Sequence, residues 1–168
     1  MTRILSRLVP ALLLLAAFTG SADRAQAQIT PASVGGAAFV SDTGRAVRLA
    51  DYRGKVVFVN FWGAWCTPCM LEMQSIRGLQ AALGNRGDMA FIFVSTRPES
   101  QPADAAWLRS RGVAGESVRL ASGSAAGMPV PSTFVLAPNG SVAQYRSSAV
   151  DWVTHADFIR DLLQHRAL

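Results

Sequence analysis

Val56-Val57-Phe58-Val59-Asn60-Phe61-Trp62-Gly63-Ala64-Trp65-Cys66-Thr67-Pro68-Cys69 is the stretch whose reading decides the fold. From Val56 to Phe61 every residue but Asn60 is apolar and either β-branched or aromatic. A strand without polar alternation is buried on both faces, as at the centre of a parallel or mixed sheet. A helical pattern begins directly after the cysteines. Pro68 suits a first helical turn, where a missing N–H costs nothing. Met73, Ile76, Leu79 and Leu83 recur at spacings of three and four and form one apolar stripe. Gly84 then supplies a C-terminal stop.

Cys66 and Cys69 are the only cysteines in the chain. At a helix N-terminus the free N–H groups and the helix dipole favour negative charge. A thiolate at Cys66 is stabilised there, and its pKa falls below that of a free cysteine. Cys69, one turn later, is on the same face and reaches the first sulfur. The pair therefore reads as a thiol–disulfide redox site, with Cys66 as nucleophile and Cys69 as resolving thiol. Two structural readings compete. Half of a zinc site lacks its other ligands, since zinc takes four and His155 and His165 fall on a distant predicted helix. An inert bridge across so short a loop gains little by chain entropy. Thr67-Pro68 places no cation between the cysteines to stabilise the thiolate further, which favours a reductant over a strong oxidant.

Outward from this centre, Ala38-Phe39-Val40 and Val47-Arg48-Leu49 are short strands around the turn Asp42-Thr43-Gly44, and they predict a small hairpin. Met89 to Ser95 is a second buried strand. Pro102 to Arg111 predicts a helix with Asp104 in its first turn, Trp107 and Leu108 inward, and Gly112 at its end. Ser117 to Leu120 is a short strand and Ala121 to Met128 a small-residue loop. Thr133 to Leu136 and Val142 to Tyr145 flank the Pro138-Asn139-Gly140 turn as a second hairpin. Thr154-His155-Ala156-Asp157 has the form of a capping box before a last helix with Phe158, Ile159, Leu162 and Leu163 on its apolar face. The order predicts an α/β domain with a mixed central sheet, helices on both of its faces and an extra N-terminal hairpin.

The chain has 168 residues, enough for one domain, and half of them are hydrophobic. A net charge of +5 is carried almost wholly by scattered arginines, with Lys55 the only lysine. That scatter describes a solvated basic surface and argues against a nucleic-acid partner. Arg3 and Arg7 form a positive n-region, Leu8 to Phe18 an apolar h-region, and Ala25-Gln26-Ala27 a small-x-small cleavage pattern. The expectation is a cleaved signal peptide over residues 1–27 and an exported domain over 28–168. The apolar run is shorter than the ~20 residues that span a bilayer, which counts against an uncleaved anchor.

With these residues in view, Asp51 to Cys69 resembles the TlpA/ResA-type family of exported, thioredoxin-like thiol–disulfide oxidoreductases. The resemblance is close over residues 47–72 and holds in outline over 28–165, where Thr133-Phe134, Asn139-Gly140 and Val150-Asp151-Trp152 also fit. It implies a thioredoxin fold. It implies reduction of disulfides in periplasmic client proteins, with electrons from a membrane-embedded thiol donor, as in cytochrome c biogenesis or copper-site maturation. No metal or other cofactor is implied. The family's cis-proline aligns best with Pro131, and Pro129 competes for that role. Val130 and Pro131 would then offer backbone groups beside Cys66 to an extended substrate. Trp65 corresponds to an apolar platform next to Cys66. Glu72 matches an acidic position that could carry the proton of Cys69, and a solvated helix carboxylate is the alternative for it.

Some positions depart from the family. Thioredoxin carries a buried aspartate where this chain has Asn60, and Gln74 replaces the proline that commonly kinks the first helix. Residues 121–127 lack the usual acidic and Tyr-Gly-Val-like segment. The Gly-Val-x-Gly-x-Pro-Glu-Thr pattern of dedicated cytochrome c maturation proteins is missing. A copper-binding metallochaperone of the same fold is the alternative function, because cuprous ion favours soft thiolates. A peroxiredoxin lacks support, for there is no Thr-x-x-Cys pattern.

Overall fold

The computed structural model describes residues 28–164. The expected signal peptide falls outside them. Among the described residues no helix is long and apolar enough to cross a membrane.

Seven strands of the described residues form one sheet: β1 (Ala38–Ser41), β2 (Ala46–Arg48), β3 (Val56–Trp62), β4 (Met89–Ser95), β5 (Glu116–Leu120), β6 (Ser132–Leu136) and β7 (Val142–Arg146). Among the described residues three α-helices accompany them: α1 (Thr67–Leu83), α2 (Gln101–Ser110) and α3 (Ala156–Gln164). The strand order is β2-β1-β5-β4-β3-β6-β7. β3 runs parallel to β4 and antiparallel to β6, while β4 runs parallel to β5. β1 and β2 make the N-terminal hairpin, in register Phe39 to Val47, and β1 joins the sheet antiparallel to β5.

β3 is the spine, and all seven of its residues are buried. Strand geometry sends alternate side chains to opposite faces. Val56, Phe58 and Trp62 enter one apolar cluster with Met73, Ile76 and Leu79 of α1, Leu108 of α2, and Ile159 and Leu163 of α3. Val57, Val59 and Phe61 enter the other cluster, with Phe39, Val47, Phe134 and Leu136.

The helices do not divide between the two faces as the sequence predicts. All three contribute to the first cluster. The second face is covered by short 3₁₀ turns carrying Val34 and Leu49, and by Ala125 and Met128 of the loop after β5. Strand order explains the difference. From β3 to β4 to β5 the chain steps twice in the same direction, and a right-handed crossover each time puts α1 and α2 on the same side.

α1 ends where expected. Gly84 takes φ +73° and donates its N–H to Gln80 O at 3.0 Å. The capping box before α3 does not form. Thr154 Oγ1 donates instead to Asp151 O at 2.8 Å, and a 3₁₀ turn over Val153–His155 leads into the helix.

Candidate active site

The sheet delivers the cysteines at the C-terminal end of its central strand. Cys66 occupies the N-cap of α1 and is bonded to Cys69, with a Cα–Cα separation of 5.2 Å. The Cys69 N–H donates to Cys66 Sγ at 3.3 Å. The first sulfur therefore sits where the helix offers an unshared donor, the arrangement that favours a thiolate once the bond is reduced. Cys69 is fully buried and Cys66 almost so, at 5% exposure. Pro68 occupies the first turn of the helix.

The loop before Cys66 is held from α2. Ala64 N–H donates to Asp104 Oδ1 at 2.9 Å, and Ser100 Oγ donates to Asp104 Oδ2 at 2.8 Å. Asp104 is 1% exposed, so away from water one carboxylate oxygen fixes this loop and the other holds Ser100 at the start of α2. Gly63 makes room for Trp65 in the same loop. A Cβ there would lie 2.2 Å from Trp65 Nε1 and would push the indole from this position. Trp65 is 45% exposed, and the Arg97 guanidinium stacks on its ring at 3.9 Å.

Behind Cys69 lies a buried polar cluster. Glu72, one turn further along α1, is 2% exposed and is not a solvated helix carboxylate. Its Oε1 accepts from Trp152 Nε1 at 2.8 Å and from Val150 N–H at 3.2 Å. Its Oε2 accepts from Asn60 Nδ2 at 3.1 Å, and Asn60 Nδ2 also donates to Thr133 Oγ1 at 2.8 Å. Burial pushes the Glu72 carboxyl above its ordinary value. The donors on Trp152, Asn60 and Val150 pull the other way without cancelling it. Trp152 is itself clamped, edge-on to Phe58 at 4.8 Å, with its backbone N–H donating to Ser75 Oγ of α1.

Pro131 is buried, and the Val130–Pro131 peptide is the cis bond of the described chain. β6 pairs with β3 as Thr133 with Asn60 and Ser132 with Phe61, which brings Pro131 level with Trp62 at the strand end that leads to Cys66. Val130 packs against the apolar cluster containing both cysteines. Cys66, Cys69, Glu72, Trp65, Val130 and Pro131 thus converge on one end of the sheet. Asp104, Trp152, Thr133 and Arg97 join them without having been assigned any part in the site from sequence. For Trp152 the one advance signal is the Val150-Asp151-Trp152 pattern. Asp104 and Arg97 had none.

A mixed sheet of this order, with a C-x-x-C disulfide at the N-cap of its central helix and a cis-proline opposite, defines the class of thioredoxin-like proteins. The chain belongs to the Redoxin family, whose model matches residues 25–157. It is 34% identical over 104 residues to the thiol-disulfide oxidoreductase ResA of Geobacillus kaustophilus, covering 60% of this chain and 59% of that one. Against the protein of the same name from Bacillus subtilis it is 31% identical over 105 residues, covering 60% and 58%. The chain thus spans just under three-fifths of the length of these two relatives. A thioredoxin-like protein from Porphyromonas gingivalis superposes with a TM-score of 0.60 at 17% identity, over 81% of this chain and 95% of its own. A DsbF homologue from Corynebacterium diphtheriae gives 0.55 at 22% identity, over 86% and 96%. At these identities the two structures speak for the fold.

Proposed function

We propose that the protein is a thiol–disulfide oxidoreductase that reduces disulfides in client proteins through Cys66 and Cys69. The observation that carries this is the disulfide closed across the N-cap of α1, with the Cys69 N–H directed at Cys66 Sγ. In the reduced protein the Cys66 thiolate attacks one sulfur of a client disulfide, and the client's other sulfur leaves as a thiolate and takes up a proton. Cys69 then loses its proton and attacks Cys66 Sγ. The client leaves with both sulfurs reduced, and the Cys66–Cys69 bond holds the two electrons' worth of oxidation.

Glu72 is the base for the second step. It follows Cys69 by one turn, shares its burial, and holds its proton more tightly than an ordinary glutamate. A proton on Oε2 would face Asn60, whose Oδ1 has no partner among the described residues and can accept it once the amide turns over. Asn60 occupies the aspartate position of thioredoxin, so the carboxylate arrives from the helix rather than from the strand.

The direction is reductive. Among the described residues carboxyl groups rather than cations are buried near the pair, Asp104 bonded to the loop before Cys66 and Glu72 one turn after Cys69, and their ionised forms disfavour thiolates. A pair whose thiolate is less stabilised is a weaker oxidant. Residues 1–27 act as a cleaved export signal and 28–168 as the working domain in the periplasm. A membrane-embedded thiol donor restores the dithiol, and cytochrome c assembly or copper-site maturation supplies clients. Trp65, Val130 and Pro131 receive the client segment as an added extended strand.

Cys69→Ser is expected to accumulate a mixed disulfide through Cys66 when mixed with an oxidised client protein. Cys66→Ser is expected to accumulate none, as read by non-reducing mass spectrometry. Equal trapping by both variants would contradict these roles. Stoichiometric copper retained after dialysis, without any exchange, would favour the metallochaperone.

A further inference from the structure

One arginine–tryptophan stack adjoins the nucleophilic cysteine, and a second lines a groove that begins at the residue on its other side. Trp65, the residue before Cys66, carries Arg97 on its exposed ring at 3.9 Å. Thr67, the residue after it, lines a groove of about 380 Å³ between α1 and α2. Met70, Leu71, Arg77, Trp107 and Arg111 line the same groove, and the Arg111 guanidinium stands over the Trp107 ring at 5.4 Å. Leu71, 65% exposed, gives it an apolar rim.

The charges on this face are unspent. Arg45, Arg48, Arg86, Arg109 and Arg160 each pair with a carboxylate. Arg77, Arg97 and Arg111 make no ion pair among the described residues, as is true of Arg53, Arg119 and Arg146 elsewhere, and Glu99, two residues from Arg97, is not paired with it. Arg77 gives one N–H to Arg111 O at 3.2 Å. None of the groove's lining residues is acidic, and Asp104, the carboxylate bonded to the Cys66 loop, is buried with both oxygens engaged. Stacking holds a guanidinium in place through its face and leaves the edge N–H groups free to meet a planar anion.

We propose that these two arginine-capped tryptophans form a docking surface that selects disulfide-bonded protein segments with carboxylates beside the cysteine under attack. The inference rests on the exchange reading above and names the class of client. Apolar side chains of the segment contact Leu71 and the indoles, while its Asp or Glu residues pair with Arg97 and Arg111. Long-range attraction between the two charge sets raises the encounter rate, and specificity arises because a basic segment is repelled.

The test uses the reduced full chain and two synthetic peptides, each closed by one disulfide and identical but for Glu or Lys at the positions flanking the cysteines. Stopped-flow fluorescence gives the exchange rate with each, and the ratio of the two cancels any change in the reactivity of Cys66 itself. A ratio of about tenfold in favour of the Glu peptide is expected at low ionic strength, falling towards one at about 1 M salt. The double variant Arg97→Glu/Arg111→Glu is expected to reverse it, and Arg97→Lys to keep its sign. A ratio near one in the parent protein, or the same ratio in the double variant, would overturn the proposal. Uncharged hydroxyethyl disulfide serves as the check on chemistry: if it too fails to react, the exchange reading falls and this one falls with it.

Discussion

Glu72 and Asp104 are both carboxylates, both buried, and both within the structure that holds the disulfide, yet they are built for different tasks. Asp104 reaches from α2 and spends one oxygen on the backbone of Ala64 and the other on Ser100, so its work is to fix a loop. Glu72 stands on the helix of the cysteines and accepts from Trp152, Val150 and Asn60, and burial still outweighs those donors and raises its affinity for a proton. What differs is the partner set. A backbone donor and a hydroxyl make a clamp. A carboxylate facing an amide that can turn over suits the proton-carrying role proposed for Glu72.

The sharpest way to break that distinction is kinetic. Glu72→Gln keeps the size of the side chain and removes its base. Resolution of the mixed disulfide by Cys69 is expected to slow about 100-fold, the scale of general base catalysis, while the first attack by Cys66 keeps its rate. Rapid quench with a labelled client disulfide separates the two steps, and equal slowing of both would make Glu72 structural. Next comes stability. Asp104→Ala leaves the half-buried Ala64 N–H unpaired and is expected to cost about 1–2 kcal/mol in urea unfolding, whereas Asp104→Asn keeps an accepting oxygen and is expected to cost under about 1 kcal/mol. A large loss in Asp104→Asn would mean that charge, not the clamp, holds the loop.

A smaller effect sharpens the comparison through pH. The folded protein holds the Glu72 proton to higher pH than an unfolded chain, where the ordinary value is 4.5. Its contribution to stability is therefore fully present below that value and is lost as pH rises through the raised one. Urea midpoints are expected to fall across that window in the parent protein, and this component is expected to be absent in Glu72→Gln. No difference between the two curves would mean that Glu72 ionises as an ordinary carboxylate.

Much of the fold was legible because its decisive signals are local. β3 shows in the unbroken apolar run Val56 to Phe61, α1 in the stripe from Met73 to Leu83, and its end in Gly84. The cysteine pair was legible because its spacing and its helix start fall within a few residues. What sequence did not disclose depends on contacts between distant segments. Asp104 reads as an ordinary first-turn residue until α2 folds against Ala64, forty positions earlier. Glu72 has no visible partner until Trp152 comes back across eighty positions. The placement of all three helices on one face needs the strand order, which local periodicity does not contain. At Thr154 the local pattern misled, because Asp151 O captured the hydroxyl that a capping box would have used.

The reduction potential of the Cys66–Cys69 pair, measured by equilibration against thiol–disulfide buffers with mass-spectrometric readout, bears most directly on the account. Buried carboxyl groups near the pair, with no buried cation among the described residues, predict a value near that of a reducing thioredoxin, about −270 mV, and a higher value in Glu72→Gln. A potential near about −120 mV, the range of strong oxidants, would contradict it.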